Sequence, residues 1–347
     1  HRPGPELREA TERAARRLDR DAAREPLVLP GLHFGRSGTY WALLDAGEAL
    51  GDADLIARTA DAAERLPVTG PVPDVSHGIA GSGLTALRFW RHTGRASFLR
   101  LAGDCADALL EAAERGTDGV AWPVPPQPPY LPDGATHHGF AHGTAGVAAF
   151  LLDAATATGR ADHREIAHLA GRTLCAAALW DDGAARWSSG PGDTVPMSGW
   201  CSGAAGVGAF LLRLWRATGE EEFGTAARGA ARAVRRDIWH SRPVHCHGTA
   251  GSIDYLVDVA EATGEERYLS WARESVAALS ARAAVRGGLL LTPDHSGTDV
   301  FPGWGVGTAG VVAALLRLTG TPARLFMPPL PTARPVEGRQ ACDVVSH

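Results

Sequence analysis

A glycine pair repeated six times limits what this chain can fold into more than any other feature. Gly-x-x-Gly followed by an apolar run begins at Gly35, Gly78, Gly143, Gly203, Gly248 and Gly307. Successive copies start 43 to 65 residues apart, about two helices with their loops. Each opens a stretch such as GVAAFLLDAATATG (146–159) or GVGAFLLRLWRATG (206–219), small or apolar nearly all round, as a buried helix is. The closing Thr-Gly reads as a helix C-cap. Between these runs lie amphipathic stretches, DHREIAHLAGRTLCAAALW (162–180) and EERYLSWARESVAALSARAAV (265–285), suited to an outer layer.

The pattern predicts an all-α fold, an α/α toroid of six helical hairpins with inner and outer rings. Glycines at the inner starts would let backbones approach closely. The expected organisation is a helical lead-in over 1–30, the toroid over 31–320, and an extended or partly disordered tail over 321–347. Pro-rich PVPPQPPYLPDG (123–134) reads as a long loop. Strand signals are weak; GVAWPV and ARWSS would make small hairpins in the loops.

Composition removes several function classes. The net charge of −5 offers nothing to nucleic acid or an anionic membrane. No apolar run approaches the roughly 20 residues of a membrane helix. The start, His-Arg-Pro-Gly-Pro-Glu, is no secretory signal. It also lacks an initiator Met, which leaves open both a stand-alone protein and one domain of a longer one. Five cysteines are too few and too scattered for a disulfide framework, so a reducing, cytoplasmic location is expected. Cys105 and Cys175 sit in Ala- and Leu-rich stretches and read as buried thiols, Cys342 as part of the tail.

Reactive residues gather just ahead of the repeat glycines: His33-Phe34, Ser76-His77, Ala141-His142, Cys201-Ser202, Cys246-His247 and Trp304-Gly305-Val306. In a toroid these positions converge on one mouth. Cys201, Cys246 and His247 then form a set suited to one zinc ion, with a fourth position open to water or substrate. An accidental buried cysteine beside a core histidine is the bland reading, which the shared register opposes. A structural zinc is another, with His245 as fourth ligand. A zinc held by two thiolates favours presenting a substrate thiolate over generating hydroxide.

These motifs resemble the lanthipeptide cyclases, the LanC family, which combine His-Gly, Trp-Cys-x-Gly and Cys-His-Gly in a Gly-x-x-Gly frame. Here they read FAHGTAG (140–146), GWCSGAAG (199–206) and HCHGTAG (245–251), with DVSHGIAG (74–81) similar to an earlier Asp-bearing copy. The resemblance spans about 31–320. It implies an α/α toroid, one zinc on Cys201, Cys246 and His247, and a dehydrated precursor peptide as partner. The implied reaction adds a peptide cysteine thiol to dehydroalanine or dehydrobutyrine, giving lanthionine or methyllanthionine rings. It also implies His142 as acid/base and Asp74 as the residue that orients it; the bland readings are a helix-start histidine and a plain N-cap. His77 is a secondary candidate, and His33, His137 and His138 are weaker. Met197 and Ser202 depart from the family, whose members carry arginine at the first position and often an aromatic or histidine at the second. Some multidomain synthetases join such a domain to lyase and kinase domains. Rival readings are a transferase adding glutathione to dehydro residues, a zinc-stabilised peptide-binding scaffold, and a glycosidase. The last needs two carboxylates, and only Asp74 lies near the register.

Overall fold

The apolar runs that follow the glycine pairs become six buried helices. In the computed structural model, residues 4–25, 29–117, 119–125, 136–320 and 324–332 are described. Twelve α-helices alternate between two rings: α1 (Pro5–Arg24), α2 (Arg36–Leu50), α3 (Ala53–Ala63), α4 (Ile79–Thr93), α5 (Ala96–Glu111) and α6 (Thr144–Thr158), then α7 (Ala161–Ala176), α8 (Ala204–Thr218), α9 (Glu221–Asp237), α10 (Thr249–Thr263), α11 (Glu266–Ser280) and α12 (Thr308–Leu318). The even-numbered helices form the inner ring, each packed on the next. In α6 every residue from Thr144 to Ala155 is buried, which explains its apolar circumference. The odd-numbered helices cover them with one face. In α9, Phe223, Ala227, Ala230 and Val234 are buried at helical spacing while Glu221, Arg228 and Arg235 make ion pairs.

The sixth outer helix is α1, which precedes its inner partner. Its Ala15 and Leu18 pack with Leu43 and Leu55 of α2 and α3. After α12 the chain turns back along the ring. Phe326 packs against Trp41, Trp304 and His33, and Met327 is buried. Arg213 donates to the carbonyls of Pro328 and Pro329, and Arg324 pairs with Asp258. Burying an aromatic or Met side chain contributes about 1.5–3 kcal/mol, so residues 324–327 help join the two ends of the inner ring.

Each inner helix starts in the same way. The amide after the first glycine donates to the carbonyl seven residues back, as in Thr144 to His137 at 2.8 Å and Thr249 to Arg242 at 2.7 Å. The second glycine then lies on the carbonyl six residues back. A Cβ at Gly146 or Gly206 would stand 1.9 Å from the oxygen of Phe140 or Trp200, so no side chain fits. At the far ends, Gly94, Gly159, Gly219 and Gly264 cap their helices at φ of 68° to 77°, as Thr-Gly suggested.

Between outer helices and the next loop lie three two-stranded hairpins: β1 (Glu114–Gly116) with β2 (Gly119–Ala121), β3 (Leu179–Asp181) with β4 (Ala184–Arg186), and β5 (Ala284–Arg286) with β6 (Leu289–Leu291). The first two contain the anticipated patches. The third was not foreseen, although Gly287-Gly288, both at positive φ, is a hairpin signal. Cys105 and Cys175 are free, and burial pushes their thiols up, Cys175 to about 12. Cys342 and most of the Pro-rich loop lie outside the described residues. Among the described residues no helix is long and apolar enough to cross a membrane.

Candidate metal centre and acid–base pair

The six loops that open the inner helices are joined by backbone hydrogen bonds at equivalent positions. His33 N–H donates to Ser76 O (3.1 Å), Ser76 to Ala141 (3.1 Å), Ala141 to Cys201 (3.1 Å), Cys201 to Cys246 (2.9 Å) and Cys246 to Gly305 (2.7 Å). At the remaining seam, the His33 ring stacks on Trp304 with centroids 5.3 Å apart. Residues scattered over the chain therefore sit side by side, in sequence order, at one end of the inner ring.

Cys201, Cys246 and His247 occupy adjacent loops of this belt, and their ligand atoms all lie within 4.8 Å of one another. Four tetrahedral bonds of 2.0–2.3 Å need ligand atoms about 3.3–3.8 Å apart, so two thiols and an imidazole at this spacing fit zinc after a small contraction. Gly199 permits the approach, because a Cβ there would lie 2.7 Å from His247 Cα. The Cys201 thiol is held well below its usual value of 9, chiefly because Cys246 hydrogen-bonds to it, with His247 and Ser202 adding to the effect against burial. Cys246 is pushed up for the converse reason, since it would be a second negative charge beside the first. A divalent cation between the two sulfurs would displace their thiol protons. Both cysteines also precede helix starts, where the positive dipole end favours thiolate.

Two loops along the belt, Asp74 is fully buried and saturated. Its Oδ1 accepts from the backbone N–H of His77 (2.6 Å) and Gly78 (3.2 Å). Its Oδ2 meets His142 Nδ1 at 3.0 Å and His77 Nδ1 at 3.3 Å. Burial raises the carboxyl's pKa, but the hydrogen bonds from His142 and His77 overcome it and leave the group at about 2. Asp74 thus fixes the turn ahead of α4, whose N-cap is Gly78 and not Asp74, and it also holds His142. The His142 side chain is 23% exposed, beside the loop that carries Cys201. The His77 ring lies between those of His142 (5.0 Å) and Phe34 (4.7 Å).

The other histidines turn elsewhere. His245 points into the core, with Nε2 2.9 Å from Asp254 Oδ2 and its ring 4.0 Å from Trp304, outside the Cys201 trio. His33 is half-buried against Trp304 and Trp200 and meets Ser76 Oγ; loss of solvent around its ring lowers it to about 3. His138 meets the Ser188 carbonyl, and burial lowers both His137 and His138. Met197 pairs its backbone with Trp187, and Ser202 serves the Cys201 sulfur. The sharing of Asp74 by two imidazoles was not anticipated; His77 in the register of His142 was its only sequence trace.

The lanthionine synthetase C-like protein family model matches residues 3–327. Nisin cyclase superposes with a TM-score of 0.61 at 16% identity, covering 76% of this chain and 72% of its own. The Lin0763 protein from Listeria innocua does so at 0.54 and 15%, covering 80% and 83%. The unsaturated glucuronyl hydrolase of Bacillus sp. GL1 gives 0.54 and 16%, covering 82% and 85%. At such identities these likenesses establish the α/α toroid and nothing finer. A comparison with curated protein sequences finds no match.

Proposed function

Because this chain belongs to the lanthionine synthetase C-like protein family, we propose that it closes thioether rings in a dehydrated precursor peptide. A peptide cysteine thiol adds to dehydroalanine or dehydrobutyrine, with one zinc on Cys201, Cys246 and His247. The observation that carries this reading is the adjacency of a three-donor thiol–imidazole set to a carboxylate–imidazole pair on neighbouring loops. A protein named nisin cyclase shares the fold, which accords with the reading.

A zinc bound here would hold the substrate thiol as thiolate near neutral pH. Cys201 and Cys246 would bring two negative charges to it, which favours thiolate addition over hydrolysis. Asp74 engages Nδ1 of His142, leaving Nε2 to take the thiol proton or to return one to the enolate carbon after addition. Both Asp74 oxygens are engaged, which leaves none free for attack on a sugar and speaks against the glycosidase reading. The substrate must arrive dehydrated, so an activity that removes water from serine or threonine has to act first, on a separate protein or a fused domain. Unpaired Cys201 and Cys246 suit a reducing, cytoplasmic setting.

The test is to measure zinc per chain and ring closure for wild type and Cys246→Ala on a dehydrated peptide. Ring closure leaves the mass unchanged, so it is followed by loss of alkylatable thiol. Near-stoichiometric zinc and falling thiol, both lost in Cys246→Ala, are expected. Near-stoichiometric zinc that survives both Cys246→Ala and dialysis against a weak chelator sinks the assignment. Added glutathione appearing in the product mass would favour the thiol-transferase reading instead.

A further inference from the structure

The proposed catalytic pair is itself two-thirds of a metal site. Asp74 Oδ2 lies 3.0 Å from His142 Nδ1 and 3.3 Å from His77 Nδ1, and the three ligand atoms fall within 4.8 Å of one another. Bonds of 2.0–2.1 Å at tetrahedral angles require donors about 3.3 Å apart, which is close to the spacing already present. The donors are also held in place. Two backbone N–H groups fix Asp74 Oδ1 and aim Oδ2 at the imidazoles, and His77 is sandwiched between Phe34 and His142. Asp74 and His77 are buried, and the part-exposed His142 gives access.

We propose that Asp74, His77 and His142 form a second, weaker site for a borderline divalent cation such as zinc, and that filling it takes His142 out of proton transfer. The geometry stands alone; the inhibitory consequence rests on the cyclase reading. One carboxylate and two neutral imidazoles carry one negative charge, against two on the thiolate pair, so this site fills second. Binding through Nδ1 breaks both bonds to Asp74 and moves each ring hydrogen to Nε2, with no net change in protons for neutral rings. His142 Nε2 then carries a hydrogen and cannot accept one. The site thus works as a ceiling on metal: one zinc equips the enzyme and a second stops it.

Zinc alone, and cobalt(II) as its visible stand-in, should be titrated into wild type, Cys201→Ala, His77→Gln and His142→Gln, with circular dichroism confirming the helical fold. Wild type is expected to take up two equivalents, the second at least about tenfold more weakly. Only the first should show thiolate-to-cobalt absorption. Cys201→Ala should keep the weaker event, and His77→Gln and His142→Gln should each lose it. Ring closure by wild type should fall as the second equivalent binds and recover with a mild chelator, whereas the residual rate of His77→Gln should not respond to excess zinc. Saturation of wild type at one equivalent in millimolar zinc overturns the proposal, as does a second equivalent that persists in both histidine variants. Failure of the cyclase reading would look different: no ring closure under any condition, with the weaker event still present in Cys201→Ala.

Discussion

His142 Nδ1 and Asp74 Oδ2 lie 3.0 Å apart although 68 residues separate them in the chain. The contact engages Nδ1 of His142 and leaves Nε2 as the nitrogen that the proposed acid–base role would use. His142→Asn keeps a polar side chain at the loop but has no group that cycles a proton near neutral pH. We expect it to keep the tightly held zinc on Cys201, Cys246 and His247 and to lose ring-closing turnover by roughly 10²- to 10⁴-fold, the usual worth of general acid–base catalysis. Metal analysis beside thiol-loss kinetics checks both halves. A drop in that tightly held zinc together with activity would mean that His142 supports the metal loops instead.

Removing either sulfur should act on metal before fold. Cys201 and Cys246 are tied into the belt through backbone atoms, which alanine retains. Cys201→Ala and Cys246→Ala are therefore expected to show an unchanged helical spectrum, sub-stoichiometric zinc and no detectable ring closure. Inductively coupled plasma analysis after dialysis against a weak chelator provides the measurement.

Asp74 gives a pH signature. Its carboxyl is held at about 2 when folded, below the ordinary value of 3.8. A depressed carboxylate contributes stability that is complete above the unfolded value and is lost as pH falls through the folded one. The contribution, roughly 2 kcal/mol, should therefore be present at pH 5 and fade between about pH 4 and 2. Urea unfolding of zinc-stripped wild type and Asp74→Asn should show a stability gap that closes over that window. A gap of constant size would mean that the Asp74 charge is not what the two imidazoles stabilise.

Much of this architecture was legible because the chemistry repeats. The glycine pairs recur where carbonyl oxygens press on the helix starts, so packing writes itself into composition, and Cys201, Cys246, His142 and Asp74 share that frame. Other parts left little local trace. Arg324 and Phe326 sit in a stretch that reads as a Pro-rich tail, yet Arg324 pairs with Asp258 and Phe326 with Trp41. Contacts at such separation have no periodicity to show. The belt linking His33 through Gly305 is made of backbone atoms, which every residue carries. That α1 docks on α2 and α3 is a matter of tertiary packing, which an amphipathic pattern does not specify.

The two kinds of glycine should respond differently to a methyl group. Gly206→Ala places a Cβ 1.9 Å from the Trp200 carbonyl, one residue from Cys201, and 2.9 Å from the Phe140 Cβ. We expect a loss of about 3 kcal/mol or more and weakened zinc affinity. Gly159 at φ 77° has open space around it, so Gly159→Ala should cost only about 1 kcal/mol and leave the metal untouched. Thermal unfolding and competitive chelation of both variants would test the contrast. Equal effects would argue against close loop packing as the reason for the repeat.

The spacing of the repeats varies by more than twenty residues, but each contributes a single rung to the belt. Each of the three longer spacings carries a two-stranded hairpin between an outer helix and the next rung, the two shorter ones carry none among the described residues, and the rungs keep their order. A lineage could therefore lengthen or reshape these hairpins without disturbing the distance from one sulfur to the other. The length of the connections and the spacing of the belt in such a ring are free to change separately.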